Sequence, residues 1–336
     1  MIEFFKEPNI DWMGKAKYFY ALSAILLLAG WISIFAKGGL YYGIDFKGGT
    51  NVDVRFAQPP NIDELRSALS KQGLGNSEIQ SINDIGGKSN EVLIFVGQNG
   101  TSDEAKDSSK AQVVAALNTV YGSGGFTVRG AEIVGAKVGA ELRRQAIYVT
   151  LYALGGMLLY IAFRFEWVFG AAAVLAVFHD VLITLGFFSL LHFEISLTVI
   201  AALLTLVGYS MNDTIVIFDR IRENNRLLRK EDFKNLVNKS INQTLSRTIL
   251  TSGLTFLTVL VLFLMGGQVL RAFSFALVVG IVVGTYSSFG IAAPLVVWWH
   301  RWKGHGAAAV GTGPAAGNKP RNGETSTARL APAGRR

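Results

Sequence analysis

Residues 196–218 read SLTVIAALLTLVGYSMNDTIVIF, twenty-three positions with a single ionisable side chain, Asp213. That length and apolarity suit the roughly 20 residues needed to cross a hydrocarbon core about 30 Å thick. The stretch therefore predicts a membrane span with a carboxylate inside it. Outward in both directions the pattern repeats. Apolar runs cover 145–163 and 168–190, broken by Arg164-Phe165-Glu166-Trp167, and His192-Phe193-Glu194 separates the second from Ser196. On the far side come 247–265, a Gly266-Gly267-Gln268 turn, and 272–298, with Trp298 and Trp299 suited to an interfacial belt. A sixth run, 18–36, lies near the N-terminus. It is longer than a signal-peptide core and lacks a small-x-small site ahead of Lys37, so it reads as a retained anchor. The expected architecture is a polytopic α-helical membrane protein with six transmembrane helices.

Composition agrees. The 336 residues are 50% hydrophobic and 17% charged, with mean hydropathy +0.35. A soluble domain carries nearer 25% charged residues. The net charge of +8 does not indicate nucleic-acid binding, because of where it sits. Residues 301–336 hold seven Lys/Arg against Glu324 alone, whereas 37–144 hold twelve bases and twelve acids. The chain has no cysteine, so no disulfide holds an exported part together.

Between the first two spans, residues 37–144 are polar and alternate between extended and helical patterns. Strands are expected at 51–56, 78–83, 91–96 and 126–134, and helices at 62–72 and 103–121, with Gly86-Gly87 as a turn. The order β-α-β-β-α-β predicts a ferredoxin-like α+β domain. Orientation follows from the basic loops. Residues 220–247 carry eight Lys/Arg, against none in His192–Glu194 and only Arg271 in the last turn. The segment 219–246 is thus expected as a basic cytoplasmic loop, with 1–17 and a disordered basic tail, 304–336, on the same side and 37–144 outside.

Ionisable groups within spans cost about 2.5–3.5 kcal/mol at a helix centre on insertion scales, so each invites a reason. Asp180, beside His179, lies near the middle of the third span; Asp213 lies in the fourth; Arg247 opens the fifth. Asp213 shares a helical face with Tyr209 and follows Asn212. Arg247, Thr251, Thr255 and Thr258 form one polar stripe, and Asp180 shares a face with Thr184. These faces are expected to turn inward. They would serve either as a proton relay, in which the carboxylate titrates and the guanidinium sets its charge balance, or as a static Asp213–Arg247 pair that fixes packing. For His179 the simpler expectation is a satisfied polar neighbour of Asp180. Gly280 and Gly284 give a small-xxx-small pair. No P-loop, zinc spacing or nucleophile elbow occurs, so neither a metal nor a cofactor nor nucleotide hydrolysis is expected. Work would draw on an ion gradient, substrate binding or a partner.

Gly43-Ile44-Asp45-Phe46-Lys47-Gly48-Gly49-Thr50 resembles the signature of the SecD/SecF family, in the form of its SecF branch. The run from Val207 to Asn224 is similar to that family's fourth-helix motif, Ser246-Arg247-Thr248 with Thr251-Ser252 to its fifth, and His179-Asp180 and Phe193–Thr198 to further conserved segments. The likeness spans about residues 15–300. It implies one of two pseudo-symmetric halves related to RND transporters, in a bacterial inner membrane. The other half, SecD, would be a separate chain. The pair would assist preprotein passage through SecYEG with the proton-motive force, with YajC and YidC as further associates and no nucleic acid. The family's proton site would fall on Asp213 and Arg247, with Asp180 as an extension, Tyr209, Asn212, Thr251 and Thr255 as the supporting polar face, and Gly43, Asp45, Gly48 and Gly49 as the signature loop. Two other classes share these features: a component of an RND-type small-molecule efflux transporter, and a non-transporting assembly scaffold. The roughly 105 external residues leave little room for a drug pocket.

Overall fold

The structure is a computed structural model that describes residues 8–82, 90–97, 104–122, 124–228 and 230–310. The expected Gly86-Gly87 turn, residues 1–7 and the tail from 311 onward lie outside the described residues.

Helix α1 (Trp12–Ala36) begins six residues before its apolar run. Asp11 caps it, accepting a hydrogen bond from the Gly14 amide at 2.8 Å. A single turn, α2 (Ile44–Lys47), leads into a four-stranded antiparallel sheet with two helices: β1 (Gly49–Phe56), α3 (Ile62–Lys71), β2 (Glu78–Ile82), β3 (Glu91–Val96), α4 (Glu104–Tyr121) and β4 (Phe126–Val134). The strand order is β2-β3-β1-β4, so β1 and β3 are central. Alternate residues of the central strands point to one face. Val52, Val54, Phe56, Val92, Ile94 and Val96 there meet Leu65 and Leu69 of α3 and Val113 and Leu117 of α4 in a closed core.

Helix α5 (Ala136–Arg164) starts about two and a half turns before the apolar run at 145–163. It is followed by α6 (Trp167–Leu191), which ends on His192 in the left-handed conformation (φ 59°), and α7 (Leu197–Leu227), capped by Ser196. Then come α8 (Phe233–Met265) and α9 (Gly267–Ser287). A π-helical turn, Ser288–Ala292, joins α9 to α10 (Ala293–Val310) without a break. Among the described residues five helical stretches are long and apolar enough to cross a membrane: α1, α6, α7, α8 and the continuous segment Leu270–Trp302.

The segment 219–246, expected as a loop, is helical except near 228–232, because α7 and α8 both run into it. Its apolar residues explain the difference. Leu236, Val237, Ile241 and Leu245 repeat at helical spacing and are buried, and the surrounding lysines and arginines masked that period. An amide ladder ties the two helices: the Asn224 side-chain amide donates to Ser240 Oγ (2.8 Å) and to Gln243 Oε1 (2.9 Å), and Arg220 Nε donates to the same Gln243 oxygen (2.7 Å). Asn238 and Asn242 bind the backbone at Ile10 and Trp12, fastening the start of α1 to α8.

Residues 304–310, expected in the disordered tail, continue α10; Ala307, Ala308 and Ala309 are the strongest helix formers available. Beyond Val297 the chain forms a separate unit, in which the rings of Trp298, Trp299 and Trp302 lie against one another.

Glycines set the closest helix approaches. Gly30 of α1 and Gly186 of α6 meet backbone to backbone: a Cβ on Gly30 would lie 2.6 Å from Gly186 Cα. Gly280 and Gly284 of α9 press on α7, where added Cβ atoms would come within 2.5 Å of Leu206 and 2.9 Å of Ser210. The small-xxx-small pair is thus the contact between those two helices.

Candidate functional site

Asp213 is 2% exposed, on the face of α7 that meets α8. Because α7 and α8 form an antiparallel hairpin, Ser252 returns to the level of Asp213, and its Oγ donates to Asp213 Oδ2 at 2.7 Å. One turn away on each helix, the hydroxyls of Tyr209 and Thr248 are buried and, among the described residues, have no hydrogen-bond partner. The buried stripe of α8 is Thr244, Thr248 and Ser252.

The expected stripe of Arg247, Thr251, Thr255 and Thr258 does not turn inward. Arg247, Thr251 and Thr258 are exposed and Thr255 is half-buried; Asn212 of α7 is exposed as well. The threonine hydroxyls are satisfied within their own helix, donating to the carbonyls of Arg247, Thr251 and Leu254 at 2.9–3.0 Å. Arg247 makes no ion pair among the described residues. Neighbouring positions on a helix point about 100° apart, and the rotation of α8 that buries Ser252 leaves Thr251 on its exposed side.

Asp180 is fully buried and forms a second cluster. Ser210 Oγ of α7 donates to its Oδ2 at 2.5 Å and Ser287 Oγ at 2.8 Å, while His179 Nδ1 lies 2.8 Å from Oδ1. His179 Nε2 is 3.5 Å from the Tyr286 hydroxyl, which in turn is 3.1 Å from Ser23 Oγ of α1. Three helices, α6, α7 and α9, thus meet at one carboxylate, and α1 joins the network through Tyr286. Gly284 makes this possible by admitting Ser210, and Ser287 stands where the π-helical turn begins. Thr184 does not join the cluster; its hydroxyl donates to the backbone carbonyl of Asp180.

The loop around α2 is built on close backbone contact. The Gly43 amide donates to the Ile195 carbonyl (2.9 Å), and the Ile195 amide to the Tyr41 carbonyl (2.7 Å). Asp45 Oδ2 accepts from the Leu197 amide at 2.8 Å, at the N-terminus of α7. Reciprocally, the Glu194 carboxylate accepts from the backbone N–H of Ile44. Any side chain on Gly43 would collide with Glu194. Gly48 (φ 71°) and Gly49 (φ 141°) occupy conformations that favour glycine, and a Cβ on Gly49 would lie 2.7 Å from the Val96 carbonyl oxygen. Burial, and then the charge of Asp45, push the Glu194 carboxyl up to about 7, against the pull of the Ile44 amide.

Sequence reasoning did not single out Ser210, Ser252, Ser287, Tyr286 or Glu194. Serines in a span look like packing residues. The signal that could have marked them is that Ser210 sits one turn from Asp213, and Ser252 one turn from Thr248. Among the described residues no three His, Cys, Asp or Glu side chains converge as a metal site.

Residues 113–302 match the family described as protein export membrane protein SecD/SecF, C-terminal, and residues 32–60 match the SecD/SecF GG motif. The protein translocase subunit SecF of Koribacter versatilis is 45% identical over 94% of this chain and 97% of its own length; that of Calditerrivibrio nitroreducens is 47% identical over 86% and 94%. The crystal structure of SecDF, a translocon-associated membrane protein from Thermus thermophilus, superposes with TM-score 0.77 at 44% identity. It covers 88% of this chain, and this chain spans 39% of it.

Proposed function

The chain belongs to the SecD/SecF family of protein-export membrane proteins, and from that premise we propose that it couples proton movement at Asp213 to preprotein export. It is a multi-pass membrane protein of the Sec pathway and carries the SecF half of the SecDF arrangement. The observation that carries the coupling is the setting of Asp213. A carboxylate locked to a cation stays an anion, whereas one held by the Ser252 hydroxyl can take up and release a proton without breaking an ion pair. Arg247 supplies positive charge to the same region once a partner helix closes over it, and Asp180 with its three donors is a second station.

The rest of the reading follows the same premise. The partner is a SecD chain, since the Thermus relative carries both halves in one polypeptide. It covers the polar face of Asn212, Arg247, Thr251 and Thr258, which is costly to leave in lipid. SecYEG, YajC, YidC and the preprotein are its further contacts. On this reading helix α5 serves as the sixth span, and the sheet order β2-β3-β1-β4 supports a ferredoxin-like external domain. The basic α7–α8 hairpin lies in the cytoplasm with both termini.

Asp213→Asn keeps size and hydrogen bonding and removes ionisation. The variant is expected to reach normal membrane abundance and to retain its SecD partner, while export loses its response to the proton gradient. Normal gradient-stimulated export by a stable Asp213→Asn protein would refute the coupling.

A further inference from the structure

Two loops meet at the outer ends of the spans, and each closes the other's helix. Asp45, on the short helix that roots the external domain, receives the Leu197 amide at the start of α7. Glu194, in the link between α6 and α7, receives the Ile44 amide at the start of α2. Two backbone bonds through Gly43, Ile195 and Tyr41 complete the junction. Helix α7 is the one that carries Asp213. On the other side, Gly48 and Gly49 lead directly into central strand β1, and Gly139 of α5 packs against the Gly48 amide. The external sheet and α7 are therefore joined through one small structure in which the charge of Asp45 acts on Glu194.

We propose that Asp45 and Glu194 are positioning residues forming a proton-sensitive clasp: protonation of Glu194 closes it, and ionisation loosens the external domain from α7. This rests on the export reading and adds to it the point where the external domain grips the proton-bearing helix. The charges acting on Glu194 are Asp45 of α2, Glu132 of β4 and Glu78 of β2, all acidic. Nearby, Lys47 is held by Glu78 (3.7 Å) and over the Tyr41 ring (5.1 Å), and His192 stacks on that same ring (5.0 Å). An ionised Glu194 thus faces like charge in a half-buried site. Its carboxyl titrates about 7 in the closed clasp against 4.5 ordinarily. Closure is therefore fully supported below about pH 4.5 and loses that support as the pH rises to and through 7. The outer side of an energised membrane is the proton-rich one, so the clasp closes when the gradient is present.

Hydrogen–deuterium exchange on the full chain, assembled with its partner in membranes, reads the clasp at the Gly43, Ile195 and Leu197 amides. Rates are normalised to each amide's intrinsic rate at the same pH. Native protection is expected to fall at least tenfold between pH 5.5 and 8.5, with most of the fall below pH 7. Glu194→Gln should stay protected throughout and flatten the dependence of export on external pH. Asp45→Ala should expose the Leu197 amide at every pH, and Asp45→Asn, which keeps an acceptor, should restore protection. Flat native protection, or a Glu194→Gln protein that still titrates, overturns the clasp whatever Asp213→Asn does. Titrating protection together with normal gradient-driven export in Asp213→Asn leaves the clasp standing and removes the coupling reading instead.

Discussion

At the scale of single residues, the buried chemistry is held by hydroxyls and admitted by glycines. Gly284 touches Ser210, which donates to Asp180, so bulk at 284 acts on a carboxylate it never meets. Gly284→Val is expected to cost about 1–3 kcal/mol by overpacking, read as a lower unfolding temperature in detergent, and to lower export further by displacing Ser210. Gly208→Ala is the matched control: nothing lies within 4 Å of its added carbon, and a mid-helix alanine should be neutral or stabilise by up to about 1 kcal/mol. Ser252→Ala should leave the fold intact, because Asp213 keeps its place in α7, but gradient-driven export should drop about tenfold as the carboxylate loses its donor. Asp180 and Asp213 were legible in the sequence, since a lone acid in an apolar run stands out. Beyond His179, the neighbour expected beside Asp180, their hydroxyl partners were not. A pattern of serines at helical spacing marks a face without saying which way the helix is rotated, and Thr251 and Ser252 are adjacent. Only the packing of α7 on α8 decides that Ser252 meets Asp213 and Thr251 does not.

At the scale of elements, apolar runs located helices well and their ends poorly. A membrane span was expected to begin near Arg247, yet α8 begins at Phe233, fourteen residues earlier. Helix periodicity continued beneath a dense set of charges, and the amide ladder of Asn224, Ser240 and Gln243 holds it there. Asn224→Ala removes both of that side chain's bonds to α8, while the Ser240 hydroxyl still donates to the Leu236 carbonyl and Gln243 still accepts from Arg220. The expected cost is about 1–3 kcal/mol, seen as faster proteolysis near Lys230 with gradient-dependent export retained in the surviving protein. In the sheet domain, the alternation of Val52, Val54 and Phe56 against Val92, Ile94 and Val96 was readable because one face is buried and the other wet. The root of that domain was not. Asp45 was marked only as part of the signature loop, without a partner, and that partner, the Leu197 amide, lies 152 residues away.

At the scale of the whole molecule, the helices divide unequally. Those of the central group, α6, α7 and the α9–α10 segment, are half or more buried over their apolar cores, while α1 and α8 are 17% buried. The exposed side of α8 combines Ile249, Leu254, Leu257, Val261 and Leu264 with Arg247, Thr251 and Thr258. A lipid-facing helix has no use for the second set, so this side is read as the one a partner covers. Replacing Thr251 and Thr258 together with leucine should halve, at least, the SecD chain that co-purifies, with no loss of the protein's own unfolding temperature; undiminished co-purification would place the partner elsewhere. The same uncovered side has a consequence for supply. A copy that finds no partner keeps an arginine and a polar row against lipid, which is the mark that membrane quality control removes. The quantity of this protein that persists in a cell is then metered by the other subunit, and raising its synthesis alone yields turnover in place of more machinery.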